Sequence, residues 1–158
     1  MDENKLTHIA PDGNPKMVDV SGKSHTERTA VAQSIVVLTT EIVELLTKGD
    51  IITKKGSVNQ TSIIAGVMGA KKTHELIPFC HQLNLTNCKI DTEIKGLEFH
   101  IRCETKTIGQ TGVEMEALTG ASLAALTVYD MCKAMSHDIT IKETKLLSKT
   151  GGKSAFQR

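Results

Sequence analysis

Between residues 97 and 104 the chain alternates strictly, with Leu97, Phe99, Ile101 and Cys103 on one side and Glu98, His100, Arg102 and Glu104 on the other. A period of two with one charged face predicts an antiparallel strand half-buried against a core. The stretch from Leu83 to Ile94 also alternates, but its apolar parity switches between Leu85 and Cys88. That switch predicts a bulge, followed by a hairpin turn at Lys95-Gly96. From Thr29 to Leu38 the β-branched residues Val31, Ile35, Val36 and Val37 predict a first strand, and Asp138 to Leu147 predicts a last one with Ile139 and Ile141 on one face.

The remaining apolar positions recur at helical spacing. Thr39 or Thr40 can cap a helix with Glu41 and Glu44 near its positive end and Ile42, Leu45 and Leu46 as its apolar stripe, closed by Gly49. A basic turn with Lys54 and Lys55 separates it from a second helix, about 59–76, whose Ile63, Val67 and Ala70 share a face and which Pro78 ends. The small residues Ala65, Gly66, Gly69 and Ala70 on that helix admit a close backbone approach. A third helix, 115–135, is apolar around most of its circumference, which predicts burial between the sheet and another chain. Strand, two helices, hairpin, long helix and strand make a split β-α-β unit with one extra helix. The expected fold is therefore α+β, a ferredoxin-like antiparallel sheet packed by helices. Residues 1–24, with Pro11, Gly13, Pro15 and Gly22 around Met17, Val18 and Val20, read as an N-terminal arm. Residues 25–158 read as a single domain ending in a flexible basic tail.

Composition narrows the function classes. Nineteen Lys and Arg against eighteen Asp and Glu leave a net charge of +1, so no global field draws the protein to nucleic acid or membrane, and any anion site must be local. Aromatic residues make up 3% with no Trp, which argues against base stacking as a means of recognition. No apolar run reaches the roughly eighteen residues of a membrane span, and Met1 to Lys5 is acidic and polar rather than a signal sequence. Cys80, Cys88, Cys103 and Cys132 form no C-x-x-C pair, so a zinc ribbon or iron–sulfur centre is not expected and reduced cytoplasmic thiols are.

The long helix carries the most informative polar residues. Glu116, Thr119, Thr127 and Asp130 fall within a limited arc, with Lys133 one turn beyond Asp130. A solvated stripe with an i,i+3 ion pair and a functional site both account for this. Glu116 and Asp130 are fourteen residues apart, about 21 Å along a helix axis, so one small ligand cannot easily reach both from one subunit. Glu114 and Glu116 either serve the helix dipole or present two carboxylates to a ligand. His81, in the loop after Pro78, could act as a general acid or base. His74-Glu75 lacks the second histidine of H-E-x-x-H because Pro78 occupies its place, and Gly152-Lys153-Ser154 lacks the leading glycine of a P-loop, where Leu147 stands. The lysines at 54, 55, 71, 72, 142, 145, 149 and 153 are either scattered surface charge or, gathered by the fold, a polyphosphate pocket.

The motifs taken together are specific. Leu6-Thr7-His8, Met17-Val18-Asp19-Val20, KKTHELIPFCH from Lys71 to His81, GVEMEALT from Gly112 to Thr119, Tyr129-Asp130-Met131-Cys132-Lys133 and Lys149-Thr150-Gly151-Gly152-Lys153-Ser154 resemble the molybdenum cofactor biosynthesis protein C family, the cyclic pyranopterin monophosphate synthases. The resemblance implies a lyase. It would convert 3′,8-cyclo-7,8-dihydroguanosine triphosphate to cyclic pyranopterin monophosphate with release of pyrophosphate. It also implies a ferredoxin-like homohexamer, a trimer of dimers, with sites at the dimer interface. No cofactor is required, although Mg²⁺ could accompany the triphosphate. By matching motif, Asp130, Lys133 and Lys55 are the expected catalytic residues. Phe79, Cys80, His81, Glu114, Met115, Glu116, Arg28, Lys71 and Lys149 are expected to bind substrate. A non-catalytic nucleotide or pterin sensor on the same fold is the competing class.

Overall fold

The computed structural model describes residues 8–158, so Leu6 and Thr7 of the first motif, and Met1 to Lys5, lie outside the described residues. The first strand, β1 (Thr26–Val37), is the centre of a five-stranded antiparallel sheet. On one side it pairs with the strand of strict alternation and on the other with the last long strand. Its Ala30, Ala32, Ser34 and Val36 face inward and are fully buried. The β-branched run thus lies where two neighbours satisfy its backbone groups and helices cover one face.

After β1 the structure departs from the pattern reading. The expected helix is a single turn, α1 (Thr40–Val43), of which only Ile42 is buried, and Leu45 and Leu46 are exposed. The chain instead forms a ribbon of β2 (Leu46–Thr47), β3 (Asp50–Thr53) and β4 (Gly56–Ser57). The cause lies in Lys48 and Gly49, both at positive φ (52° and 82°), which make the two-residue turn that pairs Thr47 with Asp50. Such a turn matches the twist of a hairpin and cannot continue a helix.

Helix α2 (Val58–Lys71) starts on the Ser57 hydroxyl, which accepts from the Gln60 amide at 3.0 Å. It stops earlier than expected. Lys72 leaves helical geometry, the Thr73 hydroxyl donates back to the Ala70 carbonyl at 2.9 Å, and a separate turn, α3 (Thr73–Leu76), follows. Strands β5 (Leu85–Lys95) and β6 (Glu98–Gly109) form the hairpin, with the expected irregularity between Leu85 and Asn87, but the turn falls one residue later than expected, at Gly96-Leu97, because Lys95 still pairs with Glu98. Phe99, Ile101 and Cys103 are buried as the alternation requires, but Leu97 falls in the turn and is exposed.

Helix α4 (Glu114–Cys132) runs across the sheet, with β7 (Thr140–Thr150) after it. Ile139, just ahead of β7, is buried, whereas Ile141 is only partly covered. The sheet order β5-β6-β1-β7-β8 is that of a split β-α-β sandwich, extended by β8 (Phe156–Gln157). The apolar girdle of α4 is covered on two sides within one chain, by the sheet and by α2, so its burial needs no second copy on those faces, and Leu126 is the large apolar residue of the girdle left mostly exposed. Small residues set that crossing. A Cβ on Gly66 would lie 2.9 Å from the Gly120 carbonyl oxygen, and one on Gly120 would lie 2.7 Å from Cys103 Sγ. The segment expected as a tail turns at Gly151 and returns beside β7 as β8. Among the described residues no helix is long and apolar enough to cross a membrane.

Candidate active site

Two buried threonines on the inner face of β6 hold the loops that build the first half of the site. The Thr105 hydroxyl donates to the Val113 carbonyl at 3.1 Å and fixes the entry to α4, while the Thr107 hydroxyl donates to the Asn84 carbonyl at 2.6 Å and fixes the loop after Pro78. Between them lies a cleft of about 320 Å³ whose walls include Cys80, His81, Glu114, Glu116, Val18 and Val20. Phe79 and Met115, both substantially exposed, complete its rim. The arm is thus part of the cleft wall.

Glu116 is only 5% exposed. Burial lifts its carboxyl from an ordinary 4.5 to about 7, with the neighbouring Glu114 charge adding to the rise. Cys80 is pushed up as well, by burial first and then by Glu116. His81 Nε2 lies 2.6 Å from the Val18 carbonyl oxygen. A carbonyl can only accept, so this nitrogen carries a proton, and in the neutral form of the ring the lone pair then lies on Nδ1. Such a site holds a carboxyl that titrates near neutrality beside an imidazole of defined tautomer, the pairing that proton transfer at physiological pH requires.

Next to this cleft, and sharing Lys23, Gly112 and Glu114 with it, is a basic recess of about 230 Å³. Lys23, Arg28, Lys149 and Lys153 line it. Lys149 Nζ pairs with Glu114 Oε1 at 3.0 Å. A Cβ on Gly112 would collide with the Glu114 carboxylate, so the glycine makes room for that pair. Arg28 donates weakly to the Gln110 carbonyl at 3.4 Å, and its Nε is buried without a partner. Four cations facing one carboxylate leave this recess strongly attractive to a polyanion.

The expected catalytic trio gathers at the opposite end of α4. Lys55, presented by the β3–β4 turn, reaches Asp130 Oδ2 at 2.9 Å and the Asp130 carbonyl at 3.0 Å, and Lys133 Nζ reaches Asp130 Oδ1 at 2.8 Å. The side chains of all three are about half exposed. Hydrogen bonds from Lys133 and then Lys55 hold the Asp130 carboxyl down to about 2, and Asp130 raises Lys133 in return. Fourteen residues of helix, about 21 Å, keep the trio away from Glu116 within one chain.

The structure therefore brings Phe79, Cys80, His81, Glu114, Met115 and Glu116 together, sets Arg28 and Lys149 in the adjoining recess, and places Asp130, Lys133 and Lys55 elsewhere. Lys71 joins neither group and borders a separate recess with His74, Gln82 and Asn84. The sequence reading missed Lys23 and gave Lys153 only as one of many lysines that the fold could gather. An exposed lysine carries no periodic signal, and only the fold shows that these two face the same recess as Arg28.

Comparison with known proteins agrees with this architecture. Residues 17–152 match the MoaC family. The chain is 50% identical over 150 residues to a cyclic pyranopterin monophosphate synthase of Xanthomonas oryzae pv. oryzae, covering 94% of this chain and 91% of that one. Identity to the synthase of Lysinibacillus sphaericus is 50% over 155 residues, 96% of each chain. A molybdenum cofactor biosynthesis bifunctional protein of Synechocystis sp. is 52% identical over 154 residues, which span 94% of this chain and 44% of that protein. An α+β fold with a five-stranded antiparallel sheet, and a site of paired carboxylates beside a cationic recess, thus falls into a known class: the chain belongs to the MoaC family. Its activity is that of a cyclic pyranopterin monophosphate synthase, a lyase of molybdenum cofactor biosynthesis acting on a pterin precursor, and the sensor alternative falls away.

Proposed function

We propose that the two groups of residues are halves of one active site, completed when two copies of the chain bring the Glu116 end of one α4 beside the Asp130 end of the other. The observation that carries this reading is the length of α4, which separates the halves by about 21 Å in a single chain. In this reading the substrate is 3′,8-cyclo-7,8-dihydroguanosine triphosphate. Lys23, Arg28, Lys149 and Lys153 take the triphosphate, and the base lies in the cleft against Cys80, His81 and Met115. Glu116 and His81 Nδ1 move protons during ring opening and rearrangement to the pterin. Lys55 and Lys133 stand over the α-phosphorus, where a hydroxyl of the sugar-derived chain attacks as pyrophosphate departs. Asp130 keeps both ammonium groups aimed at one place. Lys71 acts, if it belongs to this site, as a further phosphate contact rather than in the chemistry.

The assembly is a hexamer built as a trimer of dimers with its sites at the dimer interfaces, and the enzyme works in the cytoplasm. No resident cofactor takes part, and the place this scheme gives Mg²⁺ is on the triphosphate as part of the substrate. The test uses two inactive full-length variants, Asp130→Asn and Glu114→Gln/Glu116→Gln. Unfolded together and refolded, they should regain activity, since a mixed dimer holds one intact site. Verified exchange of subunits with no regained turnover overturns the shared site.

A further inference from the structure

The arm bordering the cleft is held in an uneven way. Val18 and Val20 turn inward and are half-buried, while Asp19 between them is exposed and caps a tight turn by accepting from the Ser21 amide at 2.9 Å. Beyond this turn the arm offers its backbone carbonyls to the body of the enzyme. The side-chain amide of Gln110 donates one hydrogen to the Ser21 carbonyl at 3.2 Å and the other to the Lys23 carbonyl at 2.9 Å. Gln110 follows β6 directly, and its own carbonyl accepts from Arg28. One residue therefore touches the backbone on either side of Gly22 and the guanidinium of the cationic recess, four residues before Glu114.

We propose that Gln110 is a positioning residue for the synthase reaction: it fastens the arm so that Lys23 faces the polyphosphate recess and the Val18 carbonyl stays on His81. This rests on the reading that the recess holds the substrate's triphosphate. An amide suits the task because its one nitrogen carries two hydrogens that diverge in a fixed plane, so it can donate to two carbonyls separated by one residue. A hydroxyl could satisfy only one of them, and a carboxylate would repel both. The arm has no other side-chain anchor to β6 among the described hydrogen bonds, so losing this clasp frees Lys23 without removing any cation.

The test compares full-length Gln110→Leu, similar in size but without donors, with Gln110→His, which keeps one. The first readout is trypsin cleavage after Lys23, which reports local opening of the arm. Cleavage should quicken on the order of tenfold in Gln110→Leu and less in Gln110→His. The second is affinity for inorganic tripolyphosphate, which should weaken by a similar factor in Gln110→Leu, with KM for the substrate following it and kcat within about threefold of wild type. The third is a double-mutant cycle: in a Lys23→Ala background Gln110→Leu should weaken tripolyphosphate binding little further. Unchanged cleavage overturns the clasp, and fully additive losses overturn action through Lys23. If wild type fails to bind tripolyphosphate the recess reading itself fails, and the cleavage rates still decide whether Gln110 holds the arm.

Discussion

Glu116 puts a measurable strain on the folded protein whenever it is ionised. Its carboxyl rises from 4.5 to about 7 on burial, so between those values the native state binds a proton that the unfolded chain gives up. The stability this proton confers is complete below about pH 4.5 and is lost as pH rises through 7. At about 1.36 kcal/mol per pH unit of displacement, the ionised carboxylate costs roughly 3 kcal/mol by pH 8, and most of that, about 2–3 kcal/mol, appears between pH 5 and pH 8. Glu116→Gln has nearly the same shape and cannot ionise. Relative to wild type it should therefore gain about 2–3 kcal/mol on going from pH 5 to pH 8, whatever its offset at pH 5. Urea unfolding at fixed protein concentration reads this as a divergence of the two midpoints by about 1 M across that range, given a slope near 2 kcal/mol per molar. On the proposed scheme, in which Glu116 moves protons, the same variant should also lose turnover. Parallel midpoint curves for the two proteins would show that Glu116 keeps an ordinary carboxylate pKa, and its role as an acid near neutrality would fall with it.

Asp130→Asn should leave the fold intact and lower turnover by about 10²-fold or more, since a neutral amide no longer holds both Lys55 and Lys133; turnover within a few-fold of wild type would remove Asp130 from the mechanism. Lys55→Ala should act chiefly on kcat and Lys71→Ala chiefly on KM, and steady-state kinetics showing the reverse split would refute that division. Gly120→Ala should lower stability by about 1–2 kcal/mol: overpacking against Cys103 and Gly66 outweighs the roughly 1 kcal/mol of helix propensity gained, and a raised melting temperature would show that the crossing has slack.

The elements legible in the sequence were those whose burial is one-sided. The alternation in β6 could be read because one face meets the core and the other meets water, and the parity switch in β5 marked its bulge for the same reason. Two readings failed where a local signal has two meanings. Leu45 and Leu46 fit a helical stripe, but the positive-φ pair Lys48-Gly49 committed the chain to a ribbon, and that pair is visible only as a Gly that also suits a helix end. The apolar girdle of α4 announced burial between the sheet and a second partner, and the partner opposite the sheet is α2 of the same chain rather than the further chain expected. Within the site, the motifs pointed to the acidic segment and to the Asp130 trio, and the residue count along α4 already separated them. Lys23 and Gln110 were illegible, and Lys153 could not be told from the other lysines, for a different reason. Their roles depend on where the arm and the final turn are folded back, which is tertiary information that no spacing encodes.

The 19-residue helix that runs from the acidic segment to the Asp130 trio is also a ruler. Inserting one residue between Gly120 and Val128 would advance Asp130 by about 1.5 Å and swing it by about 100° around the axis, carrying Asp130 and Lys133 away from Lys55 on the β3–β4 turn. A substitution in the same stretch changes only packing. This span of the chain can therefore accept changes of side chain, at a cost in stability, but not changes of length, so the spacing between the acidic segment and Asp130 is fixed within each copy.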